Sequence, residues 1–198
     1  MRGQTNLAAV WTLIMMVSGG AMAGENPPTL GAAPAAEAKA KNWTPPDAKI
    51  YAQELSDQIM AAHPELLSVT LHGVPPGASN VYTMFAGSYP DRIGNPDDPD
   101  DIDVITKGIT IVDPRWHRTH DATKKFVVQL PLRDVSGDNV GLLVLAYRIS
   151  QDSNSGPIEL KYFRRAVALR DTLMPRISHY QTLFEPARQR TESRKKTN

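Results

Sequence analysis

The sequence predicts an α/β domain of the α+β kind, an antiparallel sheet with one helix before it and one after it. Four segments, "ELLSVTLHG", "NVYTMFAGS", "KKFVVQLPLRD" and "NVGLLVLAYRIS", have the alternating or continuous apolar character of strands. The first two are joined by "VPPGAS" and the last two by "VSGD", turn-forming links that make each pair an antiparallel hairpin. The flanking segments "TPPDAKIYAQELSDQIMAAHP" and "GPIELKYFRRAVALRDTLMPRISHYQTLF" instead repeat apolar residues at three- and four-residue intervals, as an amphipathic helix does.

In the first helix Ala48, Tyr51, Ala52, Leu55, Ile59 and Ala62 form the apolar stripe. Thr44 suits its cap, Pro45 and Pro46 its first turn, and Pro64 its end. In the first strand Leu67, Val69 and Leu71 alternate with Ser68, Thr70 and His72, and in the third Phe126, Val128, Leu130 and Leu132 share a face. Pro131 has no N–H for a ladder bond, so the third strand runs at an edge or turns that nitrogen outward. The last helix has Ile158, Tyr162, Val167, Leu169, Leu173 and Met174 as its apolar face, and Pro175 should kink or divide it.

The ends set the compartment. Residues 1–23 begin with Arg2, continue through the apolar run Leu7 to Val17 and finish in Ala21-Met22-Ala23, the three-part layout of a cleaved secretory signal peptide. An apolar run of 11 residues is too short to cross a bilayer, which takes roughly 20. The expectation is a periplasmic protein with no transmembrane span after cleavage. Residues 24–43 are rich in Ala, Pro and Gly and read as a flexible linker. Residues 44–185 make the folded domain, and residues 186–198 a basic tail of the kind that is usually solvated.

Removing Arg2 from 22 basic residues leaves 21, against 21 acidic ones, so the mature chain is balanced and gives no reason to expect a nucleic-acid partner. The absence of cysteine excludes thiol catalysis, covalent c-type haem and iron–sulfur clusters, and no cofactor is expected. There is no G-x-S-x-G elbow, P-loop or H-E-x-x-H, so the chain does not read as an enzyme.

More than 30 residues separate the two hairpins, and Ile93, Ile102, Val104, Ile105, Ile109, Ile111, Val112 and Trp116 make this crossover too apolar for disorder. It should pack over the sheet. It opens with "RIGNPDDPDDIDV", five aspartates within seven positions. Asp97, Asp98, Asp100, Asp101 and Asp103 offer oxygen ligands to calcium, but the EF-hand order and its distal Glu are missing. The favoured reading is a helix start, with Asn95, Asp97 or Asp98 as cap and Asp100 and Asp101 in the first turn. Calcium is then expected to leave the melting temperature unchanged. His117 and His120 have the H-x-x-H spacing of a metal pair without an evident third ligand, and a solvated pair is the favoured reading.

The order helix, hairpin, crossover, hairpin, helix resembles the PAS-like sensor domains called single Cache domains, over about residues 45–185. The residues that carry the resemblance are "HPELLSVTLHGVPPG", "VYTMFAGS" leading into "RIGNPDDPDDIDVI", and "VVQLPLRDVSGDNVGLLVLAY". It implies a small-molecule cavity between sheet and crossover, in a sensor-like binding domain. This chain departs from the family in having no second membrane helix and no signalling domain, so a free-standing relative is implied, read by a membrane-bound signalling protein.

In that topology Tyr82, Met84, Trp116 and Tyr147 would be the apolar walls of the cavity and His72 and Arg92 its polar contacts. All but Trp116, the best apolar anchor in the crossover, also have a plainer reading. His72 either lines the cavity or sits on its rim beside the "GVPPG" turn. Arg92 either holds a ligand carboxylate in its guanidinium fork or pairs with Asp91 or the aspartate run. Tyr82, Met84 and Tyr147 would otherwise be ordinary core. The alternative function is an accessory or structural envelope protein that docks through its C-terminal helix and basic tail.

Overall fold

The computed structural model describes residues 40–114, 125–149 and 155–187. Their elements are α1 (Tyr51–Ala62), β1 (Leu66–Gly73), β2 (Thr83–Gly87), α2 (Pro99–Lys107), β3 (Ile111–Val112), β4 (Lys125–Arg133), β5 (Asn139–Arg148) and α3 (Ser155–Leu173). The sheet is antiparallel throughout, in the order β2-β1-β5-β4-β3. Both expected hairpins are present, and the mixed α/β architecture is compatible with a PAS-like fold.

The two faces of the sheet differ in chemistry. Val69 and Leu71 of β1, Phe126, Val128, Leu130 and Leu132 of β4, and Leu143, Leu145 and Tyr147 of β5 point into one core with Leu55 and Ile59 of α1 and Tyr162, Ala166, Leu169 and Leu173 of α3. Alternation then turns Ser68, Thr70 and His72, Val127, Gln129 and Pro131, and Leu142, Val144 and Ala146 to the opposite face. Helix α2 covers that face, resting on β5, β4 and β1.

Four local expectations need correction. Helix α1 starts at Tyr51 with Ile50 at its cap, not at Thr44. The preceding residues are committed elsewhere, because Ile50 bridges Pro186, the Tyr51 N–H donates to the Glu185 carbonyl and the Ala187 N–H to that of Lys49. A bulge between Leu66 and Ser68 puts Leu66 into the core and leaves Leu67 partly exposed. Strand β2 begins at Thr83, so Tyr82 lies just before it. The two-residue β3 was not expected; it pairs only with Val128 and Gln129, so Pro131 lies beyond its reach. At the other end Pro175 does divide the last helix: α3 stops at Leu173, and 3₁₀ turns follow at Met174–Arg176 and Tyr180–Phe184.

Candidate functional site

The polar side chains on the α2 face meet at one place. After β2 the chain turns back and runs beside that strand: the Gly94 N–H donates to Met84 (2.8 Å), the Met84 N–H to Asn95 (3.2 Å) and the Asp97 N–H to Tyr82 (3.1 Å). Gly94 is required there, since a Cβ would lie 2.1 Å from the Trp43 carbonyl oxygen and its φ is +89°. This return places Asp97 against His72, which pairs with Met84 across the sheet.

Asp97 Oδ1 lies 2.7 Å from His72 Nδ1, and Thr70 Oγ1 lies 2.7 Å from His72 Nε2. The Asp97 side chain is 0% exposed and that of His72 11%, so the pair is largely removed from solvent. The second oxygen of Asp97, Oδ2, is buried without a hydrogen-bond partner among the described residues.

The next turn of chain starts α2. Pro99 occupies its first position, and Asp98 and Asp101 form a capping box in which the Asp98 N–H donates to Asp101 Oδ2 at 3.2 Å. The expected helix start is therefore present, with Asp98 as cap. Asp101 also faces the sheet: Gln129 Nε2 donates to its Oδ1 at 3.0 Å and to Asp100 Oδ2 at 2.9 Å. Gln129 Oε1 is buried and unpartnered among the described residues. At the far end Gly108 closes α2 in the left-handed conformation, and Asn139 of β5 donates to the carbonyls of Val104 and Ile105.

These contacts set the titration. Burial alone would push His72 down, but the hydrogen bond and charge of Asp97, reinforced by Asp101 and Asp98, more than offset it and raise the imidazole above its ordinary value. Burial, with the Asp97 and Asp100 carboxylates adding to it against the opposing pull of His72, pushes Asp101 up to about 6. Thr70, His72 and Asp97 stand in the order of a hydroxyl–imidazole–carboxylate relay. The relay is closed in on itself, since both the Thr70 hydroxyl and the imidazole are buried under α2.

Of the six residues expected around the cavity, five are described, and the structure does not bring all five to one place. His72 and Met84 share the α2 face, and the carbonyl of Tyr82 holds Asp97 while also accepting from Asn42 Nδ2. Arg92 is exposed in the 3₁₀ turn Pro90–Arg92, with its guanidinium 4.9 Å above the Tyr89 ring. Tyr147 points to the helix side, 4.8 Å from the Tyr162 ring, where it lines an open cleft of about 470 Å³ with His63, Glu65 and Arg165. Trp116, His117 and His120 lie outside the described residues, as does the basic tail from residue 188 onward.

Sequence reading missed Thr70, Gln129 and the double role of Asp101. One polar residue, Gln129, inside the apolar run "KFVVQLPLR" is a signal that could have found the site. No protein-family model matches the chain, and no curated protein matches it significantly.

Proposed function

We propose that this chain is an exported periplasmic domain that binds a small ligand on the α2 face of its sheet, is sensor-like and has no catalytic activity. The observation that carries the reading is the buried polar cluster beneath α2. Apolar side chains of similar size would hold a helix on a sheet at least as well, because burying charged and hydrogen-bonding groups is expensive unless each is satisfied. The hydrogen bonds among His72, Asp97, Asp101 and Gln129 form in only a narrow range of α2 positions. A ligand that engages any of them changes the free energy of that docking, which is the differential affinity a sensor needs. The apolar wall of the site is Met84, with Tyr82 at its edge, and the signal-peptide pattern in the sequence of residues 1–23 supports export to where such a ligand would be met. A membrane-bound signalling protein would read the position of α2.

The relay order of Thr70, His72 and Asp97 does not favour an enzyme. Its hydroxyl is buried on a strand, and the site has no motif that would supply an oxyanion hole. Native mass spectrometry of protein isolated from its own periplasm, followed by hydrogen exchange of the α2 amides before and after removal of any bound compound, tests the proposal. The expected result is a bound small molecule whose removal speeds exchange across Pro99–Lys107. A ligand-free protein whose α2 exchange is indifferent to a periplasmic small-molecule extract would sink it.

A further inference from the structure

His72, Asp97 and Asp101 each offer one ligand atom, and these atoms lie within 4.8 Å of one another. Ligand atoms around a tetrahedral ion stand about 3.4 Å apart at metal–ligand distances near 2.1 Å; small side-chain adjustments, with the 2.7 Å His72 Nδ1–Asp97 Oδ1 contact opening and any longer separation closing, would set the three atoms around an ion. The cluster is not a surface collection of acids. It combines an imidazole from β1, a carboxylate from the segment beside β2 and a carboxylate from the first turn of α2.

Two further observations point to a cation. Asp97 Oδ2 belongs to a side chain that is 0% exposed, yet it has no hydrogen-bond partner among the described residues. A buried carboxylate oxygen left without a donor is costly, and a metal ion satisfies it directly. The outer contacts are also those of ligands held for metal. Thr70 Oγ1 sits on His72 Nε2, which would keep that nitrogen protonated while Nδ1, which faces Asp97 Oδ1 at 2.7 Å in the ion-free chain, gives up its proton to coordinate, and Gln129 Nε2 orients Asp101.

We propose that His72 Nδ1, Asp97 and Asp101 bind one divalent first-row transition ion, with Zn²⁺ as its representative, between β1 and the N-terminal end of α2. One nitrogen and two carboxylates suit such an ion better than Ca²⁺, which takes six to eight oxygens. Three protein ligands leave a coordination position for water or an added group. The inference goes beyond the small-molecule reading and stands without it, since it concerns the ion alone.

The test is calorimetric titration of the chelator-treated full mature chain with Zn²⁺, with Ca²⁺ as comparison. Asp97→Asn and Asp101→Asn remove ligands while keeping size. Thr70→Val removes only the outer contact, and Asp103→Asn alters an exposed member of the same run that pairs with Lys107. The expected result is one Zn²⁺ per chain, weakened by roughly 100-fold or more in the two ligand variants and about tenfold in Thr70→Val, with Asp103→Asn unchanged. Ca²⁺ should produce no saturable heat. X-ray absorption of the wild-type zinc complex should show a single imidazole among oxygen donors, a readout that holds even if a ligand variant fails to fold. Lack of saturable Zn²⁺ binding by the folded chain, unchanged binding in both folded ligand variants, two or more imidazoles around the ion, or loss of binding on replacing His117 and His120 instead would each overturn it.

Discussion

The most consequential residue pair is His72 with Asp97, because neither can be removed without leaving the other buried. Replacing Asp97 by Ala strips the imidazole of its partner inside a closed site, and breaking such a pair from one side costs about 3–5 kcal/mol. Asp97→Asn, which keeps a carbonyl oxygen near Nδ1, should cost less than half as much. Urea unfolding of the two variants in chelator checks the ordering; equal losses would mean that shape rather than charge holds the pair.

The same residues make stability depend on pH. In the metal-free chain both His72 and Asp101 have raised folded-state values, so at these two groups the folded state binds more protons than the unfolded one and their contribution to stability falls as pH rises. For Asp101 the loss runs from about pH 4, where the unfolded group titrates, to about 6, where the folded one does. For His72 it begins near 6.5 and ends at the raised folded value. The groups that face them are Asp97 and Asp98 before α2 and Asp100 within it. Melting temperatures measured between pH 4 and 8 in chelator should therefore decline, and Asp101→Asn should flatten the lower part of that decline. A rising profile would show that the carboxylates are fully ionised in the folded protein. At this scale the sequence shows Gln129 as out of place, but not its partners. Asp97 and His72 are 25 positions apart, and only the return of the chain beside β2 joins them.

At the scale of elements, local signals succeeded where they were not opposed. The turns "VPPGAS" and "VSGD" hold their hairpins, and Asp98-Pro99 starts α2 because cap, proline and first-turn carboxylates all agree. Thr44-Pro45-Pro46 carries an equally good start signal for α1. It is overridden because residues 49–51 pair with 185–187, a tertiary interaction that no local pattern reports. Strand β3 is two residues long and has no periodicity to detect. The docking of α2 makes a prediction of its own. Asn139→Ala releases the carbonyls of Val104 and Ile105 without touching the polar cluster, so the loss should be modest, about 1 kcal/mol, and local. Hydrogen exchange should speed up in the last turn of α2 and, in the strands, only at Gly141, whose N–H donates to Asn139 Oδ1 at 3.4 Å. Gly141 marks the opposite case, since a Cβ there would meet the His72 carbonyl oxygen at 2.6 Å with φ at +141°. Gly141→Ala should push β5 from β1 and destabilise the whole sheet rather than one helix.

Across the whole molecule, the fold closes where its two described ends meet. Leu183 is fully buried, and Tyr180 donates to the Val74 carbonyl at 2.7 Å while its ring stands edge-on to Phe85. Phe184 packs 4.8 Å from Phe85 and meets Trp43 edge-on at 6.3 Å, so the segment after α3 joins the start of the described chain to β2. A tail appended to a finished domain could be cut without consequence; this one is part of the core. A chain ending at Ala187 keeps all of these contacts and is the reference against which a deeper truncation is read. A chain ending at Ser178 loses Tyr180, Leu183 and Phe184 together, and should lose most of the stability of a domain worth about 5–15 kcal/mol. Leu183→Ala separates burial from chain length and should cost about 2–5 kcal/mol by itself. Urea unfolding followed by circular dichroism and by tryptophan fluorescence decides the matter. Coincident transitions for the chain ending at Ala187 and an early, broad one for the chain ending at Ser178 mean that closure and sheet form one cooperative unit. Two separate transitions in the full chain would mean that the closing segment is a cover over a sheet that is stable without it.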